Sequence, residues 1–272
     1  MSLYAACVAA PLPINCNLGI SLEVDGLGGS DGRVRIGTSG WHYEEWAGPF
    51  YPQELSPAEW LAYYARRFSA AEVNNTFYQL PEEETLRTWR SEVPGDFLFA
   101  VKASRYLTHM KKLKDPKDPL GEFLGAVVPL EENLGPILYQ LPPNWSFDGE
   151  RLASFLQVLP SRGRHVLEFR DPSWQCEEAY ELLGEHGAAL CIHDKSGEPA
   201  PKVLTAGFTY LRFHGPEGEY ARAYEEQDLA GWAGAISSWR EEGVEVFAFF
   251  NNDHQGHAPR DAARLAEMLG SG

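Results

Sequence analysis

No stretch of the chain approaches the ~20 consecutive apolar residues of a membrane-spanning helix, so no spanning segment is expected. Basic residues are scarce: 23 Lys and Arg stand against 39 Asp and Glu, a formal charge of −16. Such an acidic balance disfavours non-specific attachment to nucleic acid or anionic membrane. Cysteine is sparse too. Cys7, Cys16, Cys176 and Cys191 form no CxxC pair and no zinc-finger spacing, and read as reduced thiols. The segment Met1–Ala10 lacks the basic start of a signal peptide, so a cytoplasmic protein is expected.

Short β-branched and aromatic runs are abundant. They are Val34–Gly37, Ala71–Val73, Phe97–Val101, Pro136–Gln140, Val166–Phe169, Ala188–Ile192, Thr209–Phe213 and Val246–Phe250. Most are apolar on both faces, as parallel strands covered on both sides must be. Helical signals fill the gaps. Ser56-Pro57-Ala58-Glu59 is a capping box opening a helix through Phe68. Leu152, Phe155, Leu156 and Leu159 form an apolar stripe, as do Trp232, Ile236 and Trp239 before Gly243.

Eight strands alternating with helices predict an α/β fold, a single-domain (β/α)₈ TIM-like barrel over residues 33–270. Residues 1–32, ending in a Gly-rich stretch, read as an N-terminal tail or linker. Residues 193–207 carry too little helical pattern for a full crossover. An open doubly wound sheet is therefore the alternative, although Gly37-Thr38-Ser39-Gly40 does not match its phosphate-loop fingerprint.

In a barrel the residues at the C-terminal strand ends build the site. Nearly every run ends in polar residues, and alternate residues of a strand share a face. Glu72 and Asn74, and likewise Glu168 and Arg170, therefore point together. The candidate catalytic groups are Glu168, Glu72, Lys102, His109 and Asp194. The candidate substrate-binding groups are Arg170, Arg212, His214, Asn74, Tyr43, Trp41, Gln140, Trp174, Asn251 and Asn252. Two arginines suit a phosphate or carboxylate. Lys102 reads first as an ion-pair partner of Glu72 or Glu168, with a Schiff-base role as the alternative. Glu72, Glu168, Asp194 and His214 read as a hydrogen-bonded network rather than a metal site, and a divalent metal stays open. No other cofactor is expected. The basic stretch Arg105, Lys111, Lys112, Lys114 and Lys117 reads as a solvated loop, with a lid as the alternative.

Several blocks together resemble the YecE-like family, a domain of unknown function. They are Gly37-Thr38-Ser39-Gly40-Trp41-x-Tyr43 with Phe50-Tyr51-Pro52, Glu72-x-Asn74-x-Thr76-Phe77-Tyr78, Val101-Lys102 with Thr108-His109, Gln140-Leu141-Pro142-Pro143, Glu168-x-Arg170 with Ser173-Trp174, Tyr210-x-Arg212-x-His214-Gly215 and Phe250-Asn251-Asn252. The match runs from about Arg33 to the last helix. It implies a TIM barrel and no particular reaction. The first functional expectation is an enzyme, hydrolase or isomerase in type, acting on an anionic small molecule. The alternatives are a metal-assisted nucleic-acid-processing barrel and a non-catalytic binding protein. Oligomeric state is not readable.

Overall fold

A computed structural model describes residues 32–195, 201–216 and 220–270. The expected tail, Gly32 apart, lies outside them, as do Cys7 and Cys16. Among the described residues Cys176 and Cys191 are free thiols, and no helix is long and apolar enough to cross a membrane.

Each expected run is a strand: β1 Val34–Thr38, β2 Ala70–Val73, β3 Leu98–Lys102, β4 Leu134–Gln140, β5 His165–Glu168, β6 Ala189–His193, β7 Phe208–Phe213 and β8 Glu245–Phe250. Their order is β1-β8-β7-β6-β5-β4-β3-β2, and every pairing is parallel. The open-sheet alternative is thereby overturned, because β1 and β2 also meet. Ser39 and Glu72 form a parallel bridge between them, and the sheet is a nearly closed barrel.

The helices are α1 Trp60–Tyr64, α2 Glu83–Ser91, α3 Lys117–Val127, α4 Gly149–Leu156, α5 Glu177–Glu185, α6 Glu226–Glu241 and α7 His257–Met268. One helix follows each strand except β6; among the described residues the β6–β7 connection holds none. The capping box forms as expected, the Ser56 amide donating to Glu59 at 3.1 Å. The helix behind it is shorter than expected. A 3₁₀ turn precedes it, and the chain leaves α geometry after Tyr64.

The β1–β2 seam has few backbone bonds, and side chains take their place. The Tyr64 hydroxyl accepts from the Thr38 amide at 2.8 Å and donates to the Ala70 carbonyl at 3.1 Å. Gly37 makes the approach sterically feasible: a Cβ there would lie 1.9 Å from the Ala70 carbonyl oxygen.

Inside the barrel the side chains are layered. An apolar cluster including Leu98, Leu138, Val166, Phe208 and Phe247 fills the middle. It is separate from the larger core between strands and helices. Towards the N-terminal strand ends lies an ionic group, Glu245 with Arg164 at 2.8 Å and Arg35 at 3.6 Å. Towards the C-terminal ends lies a second polar layer.

Candidate functional site

Arg212 is the centre of that layer. It follows Tyr210 at a spacing of two, so both project inward from β7. Arg212 is 2% exposed, and Glu72 and Glu168 are fully buried. Its Nε and Nη2 grip both oxygens of Glu72 at 2.9 and 2.8 Å, a bidentate fork. Its Nη1 donates to Glu168 at 2.8 Å. One guanidinium therefore serves two buried carboxylates from β2 and β5, strands that are not neighbours in the sheet.

Glu72 accepts five hydrogen bonds in all, the other three from Ser39 (2.7 Å), Asn74 (2.9 Å) and Tyr210 (2.7 Å). Burial alone would push its pKa up; the charge and hydrogen bonds of Arg212, with those of Ser39 and Tyr210, outweigh burial and hold it low. Glu168 behaves alike. Burial raises it, but Arg170 and Arg212 hold it well below the usual range. Its second oxygen is in direct ion contact with Arg170 Nε. Both glutamates are thus anions at neutral pH. Glu72 is held by five hydrogen bonds, and each guanidinium nitrogen of Arg212 has a carboxylate partner, which leaves Arg170 as the arginine with an unpartnered nitrogen.

Arg170 reaches the His214 ring at 3.2 Å, while its buried Nη1 has no hydrogen-bond partner. His193 likewise keeps a buried, unpartnered Nδ1, its Nε2 lying 3.1 Å from the Phe169 carbonyl. Burial lowers the pKa of both histidines, His214 strongly. Both are neutral at pH 7. Behind them Asp194 accepts from the His214 amide at 2.7 Å and from the Tyr224 hydroxyl. Burial raises Asp194 to about 6 against these hydrogen bonds.

Lys102 departs from expectation. Among the described residues it makes no ion pair with Glu72, Glu168 or any other carboxylate. Arg212 and Arg170 between them take the oxygens it would need, and the ammonium lies over the Phe77 ring, 4.4 Å from its centroid. Burial, with the charge of Arg212, lowers its pKa to about 8. His109 packs edge-on against the same Phe77 ring at 4.9 Å, its Nδ1 held by Thr108 Oγ1 at 3.0 Å. Burial, then the charges of Lys102 and Arg105, depress it to about 4.

Other expected residues fall elsewhere. Trp41 is in the core against Trp89 and Phe99. Trp174 is fully buried among Phe169, Trp145 and Phe147. Asn252 is tied to Arg222 and Asp261, each at 2.9 Å. Asn251 pairs through its backbone with Phe213, and Gln140 ends β4 partly exposed. Tyr43 donates to the Ser39 carbonyl at 2.6 Å, at the rim beside Glu72. Sequence reasoning missed Ser39, Tyr210 and Tyr64. Tyr210 carried a signal, since it lies two residues from Arg212, and Ser39 carried one only as part of the Gly37-Thr38-Ser39-Gly40 block. Tyr64 had none, since it acts from a helix. Among the described residues no three His, Cys, Asp or Glu side chains converge as metal ligands.

A cavity of about 320 Å³ opens beside Phe77, lined by Tyr78, Arg105, Tyr106 and Met110. A larger one, about 590 Å³, lies at the opposite end near Arg33, Arg35 and Arg240 and contains none of the strand-end groups. The basic loop beside the mouth has three non-glycine residues at positive φ: Lys112 (47°), Leu113 (59°) and Asp115 (46°). Leu113 is buried beneath it, and Arg151 holds the Lys112 carbonyl at 3.2 Å.

No curated protein matches the chain. Among solved structures it is similar to a DUF72 family protein from Thermotoga maritima, with 31% identity, a TM-score of 0.80, and coverage of 88% of this chain and 99% of that one. A DUF72 family protein from Enterococcus faecalis is similar in fold, with 20% identity, a TM-score of 0.75 and coverage of 87% and 95%. A family model described as "Protein of unknown function DUF72" matches residues 35–272, in agreement with the resemblance carried by the motif blocks. With the barrel, the layered mouth and the matched span in accord, the chain belongs to the DUF72 family.

Proposed function

We propose that this protein is an enzyme that binds an anionic small molecule at the C-terminal mouth of its barrel and acts on it by acid–base chemistry. One observation carries the reading: Arg170 Nη1 is buried there without a hydrogen-bond partner, and the half-buried Lys102 ammonium beside it has no carboxylate partner. Buried donors of this kind are costly unless a ligand satisfies them. Arg170 is the anchor for a carboxylate or phosphate, and Lys102 adds charge. His109, neutral at pH 7 with Nδ1 committed to Thr108, is the proton acceptor. Glu72, Glu168 and Arg212 form the rigid floor that orients Arg170. An isomerase or a hydrolase fits these groups.

Calorimetric titration with inorganic phosphate, acetate and neutral acetamide tests the reading. Both anions are expected to bind and acetamide is not. Arg170→Met is expected to weaken phosphate about 10-fold or more, the loss of a charge-assisted hydrogen bond. Equal binding of acetamide and acetate, or an indifferent Arg170→Met, overturns it.

The cationic loop favours a second reading, nucleic-acid processing, because Arg105, Lys114 and Lys117 are exposed beside the mouth. Binding of single-stranded DNA that falls steeply with salt supports it. Salt-independent or absent binding rejects it.

A further inference from the structure

We propose that Lys102 is a covalent nucleophile, forming an imine with the carbonyl carbon of an anionic aldehyde, ketone or keto acid held by Arg170. The inference deepens the proposed function and rests on its anion site. Four features of the geometry support it. Lys102 ends β3, so a rigid strand places its amine at the mouth. The backbone there is pinned, the Lys102 carbonyl accepting from Thr76 Oγ1 at 2.7 Å. The amine lies over an aromatic face instead of a carboxylate, so no ion pair has to break before it attacks. Arg170, whose buried Nη1 lacks a hydrogen-bond partner, lies close enough to act on Lys102 by its charge.

The charged groups facing Lys102 are Arg212, Glu168, Glu72 and Arg170, with His109 beside it. Burial and the two arginines outweigh the two glutamates, and the pKa falls to about 8. Roughly a tenth of the molecules then carry the free amine at pH 7, about two orders of magnitude more than for an ordinary lysine.

The step balances without a further reactant. The Nζ lone pair forms the new C–N bond while the carbonyl π pair moves onto oxygen. Both amine protons transfer to that oxygen, the C–O bond breaks, and water leaves with the imine in place. Protonation of the imine nitrogen by solvent makes it an electron sink for a bond at the adjacent carbon. His109 shares the Phe77 ring with Lys102 and is available to take the proton released there. The substrate class is thus a small carbonyl compound carrying a carboxylate or phosphate. The reaction class is isomerisation or carbon–carbon bond chemistry next to the carbonyl.

The full chain is incubated with glyoxylate or glycolaldehyde phosphate, reduced with borohydride and mapped by peptide mass spectrometry. Reduction fixes one adduct, expected at Lys102, blocked by inorganic phosphate and rising with pH to half its maximum near 8. Lys102→Arg is expected to lose the adduct. If phosphate still binds but neither aldehyde labels Lys102, or if labelling survives Lys102→Arg, the imine assignment fails and the anion site stands. If phosphate does not bind at all, the anion reading and the imine fall together.

Discussion

Replacing Arg212 by Met removes one side chain and strips three hydrogen bonds from two buried carboxylates. Breaking a buried pair from one side costs about 3–5 kcal/mol, because the surviving charge remains desolvated. Glu168 keeps Arg170, and Glu72 keeps Ser39, Asn74 and Tyr210, so the expected loss at pH 7 lies within that range rather than at double it. For a domain of this size the melting temperature falls by about 6–20 °C. The pH dependence gives the sharper signature. In the native protein both glutamates titrate below the unfolded value of about 4.3, so their contribution is present above that pH and is lost as pH falls through the folded values. Without Arg212, burial dominates Glu72 and its folded pKa rises. Stability of the variant is then greatest in acid and declines as pH climbs through that raised value. The difference between the two proteins is expected to shrink from pH 7 to pH 4.5, read by urea unfolding at each pH. A difference under about 1 kcal/mol at pH 7, or one that does not narrow in acid, refutes the argument that Arg212 holds these charges.

Further outcomes follow from the same physics. Lys102→Met removes a half-buried ammonium that has no carboxylate partner and is expected to stabilise the fold by about 0.5–2 kcal/mol at pH 7 while weakening phosphate binding. Because the folded pKa is lowered to about 8, that gain fades as pH rises through 8, which melts at pH 7 and 9.5 would show. Asp194, raised to about 6, has the opposite sign from the glutamates: its stabilisation is present in acid and lost as pH climbs through about 6. Asp194→Asn should therefore flatten the stability profile between about pH 4 and 7, measured by denaturant titration. Tyr64→Phe leaves the Thr38 amide unsatisfied and is expected to cost about 1–3 kcal/mol, with faster hydrogen exchange in β1 and β2 than elsewhere. Trp174→Phe, a core change, is expected to lower stability without altering phosphate affinity in the calorimeter.

The barrel was legible because eight strands are apolar on both faces, and the segment after the first lacks the phosphate-loop fingerprint of an open doubly wound sheet. Strand ends were legible to within one or two residues, as at Val34–Thr38 and His165–Glu168. The β6–β7 connection misled because barrel closure depends on pairing of the strands and not on a helix behind each one. The membership of the mouth was legible through the period of two, which placed Glu72, Glu168, Arg170 and Arg212 on one face. The division of labour was not. Nothing in the spacing says that Arg212 spends its whole fork on Glu72 and Glu168, and so nothing says that Lys102 is left without a partner. That competition for oxygens is settled in three dimensions. The place of the aromatic residues was hidden for a related reason: Trp41 and Trp174 follow strand ends in sequence, but their rings pack into the core.

The β1–β2 seam has a consequence for how this molecule can change over time. Elsewhere neighbouring strands are joined by peptide groups, which every sequence possesses, so side chains there are free to drift. At the seam the fastening is made of particular atoms: the Tyr64 hydroxyl, the missing Cβ of Gly37, and the Ser39 hydroxyl on Glu72. Glu72 is also the clasp of Arg212, so the latch of the wall and the floor of the mouth are one object. Exchanges are therefore cheap on the rim, around Tyr78, Tyr106 and the loop at Lys112, and expensive on the floor, where each one must also keep the barrel shut.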